Sequence, residues 1–396
     1  MEGDKPASET ALAATPYKPL SRPTRSEAKA LCQAMWDWNQ GIGDHRIICH
    51  NCPDSTTDDL EPTCEEDEYG CPWKARFHAK RAFIGFYGDL AEQYTAPPFG
   101  HDDQVIHKHQ DLFDIIAFLR TADPELTRRQ CMELYFNTSP VSSSTCGHGP
   151  GPAATCREEA FLFAARILTM VTFSSEGQGT GTGCWPMDIP LHVALRNVFP
   201  QITSTEEETK DMRRVEREPR LNAHNLVTLA NVTIQPTNDL RKHLELDEAG
   251  NLHFFHHLGF LFECLRVSYN RMEARDSDGT YISPHIHHEV ALEVLHTIRI
   301  LFDKRPLYGP ESRDLLDTLV ANSGFDPLSP EHSVVYYFSR LNNDGGVGRR
   351  VRKYRIFGPR LEALCNMIPR PDFQEWVYTS FKRHTGMPCI SGYYSV

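Results

Sequence analysis

Apolar positions along this chain recur mostly every three to four residues, which predicts helices and few strands. Thr24-x-x-Glu27 is a capping-box pattern that opens a helix through Ala30, Leu31, Ala34, Met35 and Trp38. Phe77, Ala82, Phe83, Phe86, Tyr87 and Leu90 continue the helical period up to the Pro97-Pro98 pair. Leu112, Ile115, Ile116 and Leu119 make a further stripe, and Asp123-Pro124 supplies an N-cap and first-turn proline for a helix to about Phe136. Another helix is expected from Arg157 to Val171. In the C-terminal part helical patterns fall at 237–246, 253–270, 285–303, 311–322, 357–368 and 372–384. Start signals stand at Pro236-Thr237-Asn238-Asp239, Ser283-Pro284 and Pro310-Glu311. Val334 to Phe338 is the single short strand the alternation supports.

The expected fold class is mainly α, an irregular multi-helix bundle with long loops. Residues 1–23, with four prolines among Ser, Thr and Ala, read as a disordered tail. An N-terminal helical region, 24–136, carries a Cys/His-rich loop at 41–72. The Ser-, Gly- and Pro-rich run 137–156 reads as a flexible linker to a C-terminal helical domain, 157–396.

With 396 residues the chain can bury a large core without disulfide or metal. Its net charge of −12 argues against broad, sequence-independent binding to nucleic acid. The longest apolar stretch, Phe161 to Phe173, carries Arg166 and is too short to span a bilayer, which takes about 20 residues. The N-terminus has neither the basic nor the apolar region of a secretory signal. The 12 cysteines are spread along the chain, so reduced thiols and a cytoplasmic location are expected.

The strongest metal candidate is Cys49, Cys52, Cys64, Cys71 and His78, beside His45 and His50. Cys49-x-x-Cys52 lets one tight turn present two thiolates to a tetrahedral zinc ion, and Cys64 with Cys71 or His78 would complete four ligands. The second pair lacks Cys-x-x-Cys spacing, so a plain cysteine-bearing loop stands beside structural zinc as a reading. A redox dithiol would want a preceding strand and a helix at the motif, and the acidic stretch after Asn51-Cys52-Pro53 offers neither.

Gly279-x5-His285-x-His287 imitates half of a cupin metal motif, but Glu293 lies one residue beyond the usual gap. Ile286, Val290, Val294, Ile298 and Leu301 place these histidines beside the buried stripe of a helix. His253, His256 and His257 read as interior packing with exposed imidazoles. The glycines at 177, 179, 181 and 183 lack the Lys-Ser/Thr and spacing of nucleotide loops, and no Gly-x-Ser-x-Gly elbow occurs. Catalytic residues stay unassigned. Arg349, Arg350, Arg352, Lys353 and Arg355 form the one concentrated cationic patch, suited to peripheral contact with anionic lipid or to a nuclear signal.

Five stretches carry a resemblance: Ile234–Leu246, Phe254–Leu261, Leu292–Leu295 leading to Ile300–Phe302, Gly324–Pro327 and Tyr354–Leu361. In this order, over roughly 190–390, the chain resembles a family of uncharacterised, mainly helical proteins of filamentous fungi. Many members carry a transmembrane anchor after the segment corresponding to Trp376–Met387, an anchor this chain is expected to lack. The resemblance implies a helical fold and no assigned catalytic residues. The functional expectation is a non-enzymatic helical protein that engages a protein partner or regulates one, with no cofactor or with structural zinc. The alternative is an enzyme or accessory factor in a fungal specialised-metabolite pathway.

Overall fold

The structure is a computed structural model that describes residues 20–36, 80–94, 105–138, 154–175, 183–199, 218, 220–273, 286–302, 314–316, 318–319 and 356–369. These residues are mainly helical. Two compact units divide them: the first draws on Met1–Pro200, Asn238–Arg241 and His257–Ala291, the second on Gln201–Thr237, Lys242–His256 and Leu292–Val396.

The first unit begins with α1 (Arg25–Trp36). Its start is the capping box: the Thr24 N–H donates to the Glu27 carboxylate at 2.8 Å and the Glu27 N–H donates to the Thr24 hydroxyl at 3.3 Å. Thr24→Ala is therefore expected to destabilise this unit by about 1 kcal/mol in urea titration, whereas Thr24→Ser stays near wild type. Helices α2 (Arg81–Gln93) and α3 (His109–Thr121) follow, and Leu112, Ile115, Ile116 and Leu119 are all buried. Asp111, in the first turn of α3, accepts from the His107 and Lys108 N–H groups at 2.9 and 3.0 Å, closing that helix start.

The next helix does not start at Asp123-Pro124. The Asp123 side chain accepts instead from the Glu125 N–H at 3.0 Å and its carbonyl from the Leu126 N–H at 3.1 Å, which closes a separate turn. Thr127-x-x-Gln130 then forms the true box, the Thr127 N–H donating to Gln130 at 2.9 Å and the Gln130 N–H to the Thr127 hydroxyl at 3.3 Å. So α4 runs Arg128–Thr138. Helix α5 (Ala154–Thr169) ends in Met170, whose φ of 54° is the left-handed turn that commonly closes a helix. The expected linker thus gives its first residues to α4 and its last to α5.

Two short strands, β1 (Phe173–Ser174) and β2 (Gly183–Cys184), pair in parallel, with Phe173 opposite Gly183. A Cβ on Gly183 would lie 2.9 Å from Val198 Cγ2 and 3.3 Å from the Phe173 ring, so a side chain here would force these neighbours to shift. Helix α6 (Leu191–Val198) follows Pro190. Helix α3 packs between α1 and α5, and α4 packs on both α3 and α5.

The second unit opens with α7 (Ala223–Thr228), capped by the Asn222 side chain, which accepts from the Asn225 N–H at 2.8 Å. The expected helix at 237–246 is absent. In its place β3 (Thr233–Thr237) ends a strand, a 3₁₀ turn covers Leu240–Lys242, and β4 (Glu245–Leu246) follows. The helical pattern at 253–270 also begins too early, because β5 (Asn251–Phe255) takes its first residues. The sheet order is β3-β5-β4, with β3 parallel to β5 and β4 antiparallel to it. Pro236 sits on the edge strand β3, where its missing N–H costs no ladder bond.

Helix α8 (Leu258–Glu273) belongs to the first unit and packs on α1 and α2. Helix α9 (His288–Phe302) buries Val290, Val294, Ile298 and Leu301 as its spacing predicts, and Ile286 just ahead of it is buried too. Residues 314–316 and 318–319 are helical, and α10 spans Gly358–Met367. The expected strand at Val334–Phe338 and helix at 372–384 lie outside the described residues. Among the described residues no helix is long and apolar enough to cross a membrane.

Candidate functional site

Cys49, Cys52, Cys64, Cys71 and His78 lie outside the described residues, as do His45, His50, His285 and the basic patch Arg349, Arg350, Arg352, Lys353 and Arg355. Among the described residues no group of three or more His, Cys, Asp or Glu is arranged to hold a metal ion. Cys32, Cys131, Cys156 and Cys264 are buried, while Cys184 and Cys365 are half-buried.

The chemistry-bearing side chains of the first unit gather at three buried places. At one, the Lys80 ammonium, just ahead of α2, donates to Glu263 Oε1 on α8 at 2.9 Å. Arg266, one turn on, donates to Glu263 Oε2 at 2.9 Å. Trp36, Phe83 and Phe260 wall this cluster with ring centroids 5.3–5.9 Å apart, and the Lys80 ammonium lies 5.7 Å from the Trp36 ring centroid. Burial pushes the neighbouring Cys264 thiol far up, so it stays protonated and inert.

At the second place the Tyr87 hydroxyl meets His109 Nδ1 at 2.5 Å, with Phe113 stacked beside the imidazole. Burial, helped by the charge of Glu27, raises the tyrosine and keeps it a neutral donor. At the third, the His257 Nε2–H donates to Asn238 Oδ1 at 2.6 Å, and the ring lies 5.4 Å from Phe86. Both His256 and His257 are buried, against the expectation of exposed imidazoles; His253 is the partly exposed one, paired with Asp247 at 3.4 Å. Their enclosure follows from position, since both sit where β5 ends and α8 is about to begin.

The second unit uses its polar groups as internal ties. His243 is fully buried: the Phe255 N–H donates to its Nδ1 at 3.2 Å, and its Nε2–H meets the Thr297 hydroxyl at 2.6 Å. This network assigns the proton to Nε2. Burial, reinforced by the charge of Arg360, lowers this imidazole to about 3, so it is neutral at every ordinary pH. Glu293 on α9 is buried and accepts from the Ile356 and Phe357 N–H groups, each at 2.9 Å, satisfying donors at the entry to α10.

One buried ion differs. Arg128, the first residue of α4, is 1% exposed. The adjoining segment fixes it in place: the Arg128 and Arg129 N–H groups donate to the carbonyls of Ile189 and Met187 at 3.3 and 2.9 Å, and Trp185 Nε1 donates to the Ile189 carbonyl at 2.9 Å. Its guanidinium sits 5.9 Å from the Trp185 ring centroid; Nε donates to the Met187 sulfur at 3.1 Å and one terminal nitrogen reaches Glu158 at 3.5 Å. The other terminal nitrogen is enclosed and makes no hydrogen bond. Burial lowers this guanidinium, while Glu158 and then Cys184 pull it back up.

Sequence reasoning passed over Arg128, although a signal exists. Arg128-Arg129 puts two cations at the positive end of a helix dipole, where acids are favoured, and such a local conflict marks a residue kept for another reason. Comparisons with protein-family models, characterised proteins and solved structures give no match.

Proposed function

We propose that this chain is a non-enzymatic, mainly helical interaction or regulatory protein, an irregular multi-helix bundle with long loops whose helix surfaces engage a protein partner. The observation that carries this reading is the Lys80–Glu263–Arg266 cluster. Ammonium, carboxylate and guanidinium are groups that acid–base chemistry uses, and here they bind one another, with Lys80 and Glu263 buried between α2 and α8. The Glu293 carboxylate is used in the same way, as a tie between elements. The ordered resemblance to helical proteins of filamentous fungi supports the same reading, and the 41–72 stretch would add a zinc-dependent element to it.

The test is size fractionation of native-host extract, followed by affinity capture of the tagged full chain. A defined complex of reproducible size and composition is the expected result. A monomeric, partnerless chain in extract would overturn the reading.

A further inference from the structure

We draw no further inference here: the strongest candidate, the buried side-chain cluster of Arg128, Glu158, Trp185 and Met187 at the start of α4, carries nothing, because the guanidinium is 1% exposed and no cavity that could hold a ligand is seen beside it among the described residues.

Discussion

Lys80→Met is expected to destabilise the first unit by about 3–5 kcal/mol, the cost of breaking a buried ion pair from one side. Lys80 is 1% and Glu263 5% exposed, so solvent screens neither charge. The loss does not come from the attraction alone. Removing the ammonium leaves the Glu263 carboxylate in a wall of Trp36, Phe83 and Phe260, with Arg266 2.9 Å from its other oxygen. The buried carboxylate then loses its ammonium in a place where water cannot take over that solvation. Lys80→Met combined with Glu263→Leu is therefore expected to recover most of the stability, since an apolar pair of similar volume fits the same aromatic pocket. Urea titrations of both variants, read by tryptophan fluorescence, measure the two effects. A single variant within about 1 kcal/mol of wild type would show the pair to be worth no more than a surface bridge.

Helices with a repeating buried face were legible in the sequence, because that signal is local. The α3 stripe Leu112, Ile115, Ile116, Leu119 and the α9 stripe from Val290 to Leu301 are buried as their spacing requires, and Thr24-x-x-Glu27 caps α1. The sheet was not legible, for a physical reason. Leu240 and Leu244 are four apart and both buried, which imitates a helical face, yet one lies in a 3₁₀ turn and the other has a left-handed φ of 57°. What defines β3 is its register with β5, Thr233 opposite Asn251 through Thr237 opposite Phe255, and no window of local periodicity contains both strands.

The ties that hold the polar interior together were equally invisible, since most join residues far apart in the chain. Lys80 meets Glu263 and His243 meets Thr297 across long separations, so no spacing rule connects them. Glu293 drew notice as a failed metal-motif position. Its role turns out to be that of a carboxylate buried at the entry to α10. Arg128 was the one residue with a local anomaly to read, a cation at the wrong end of a helix.

The second unit is expected to lose stability steeply as pH falls below neutrality. Three of its imidazoles are held below the ordinary value of 6.5 by burial: His243 at about 3, His256 at about 4 and His296 at about 4, the last also lowered by Arg299. Below pH 6.5 the unfolded chain binds protons that the folded unit refuses. Stability present above pH 6.5 is thus withdrawn progressively on acidification, until the folded values near 4 and 3 are reached. Each imidazole contributes a slope of up to roughly 1.4 kcal/mol per pH unit, so by about pH 5 the three together withdraw at most about 6 kcal/mol, comparable to the lower end of ordinary domain stability. The loss has a structural address: His243 takes up its proton only when the unit opens, and the protonated Nδ1 can no longer accept from the Phe255 N–H, so β5 amides should lose hydrogen-exchange protection together with the unit's overall stability. His256→Gln, which cannot take up a proton, is expected to flatten the pH slope by one such increment, whatever its effect on stability at neutral pH. A second unit whose exchange protection stays constant from pH 7 to about pH 5 would mean that these rings are hydrated and titrate as in water.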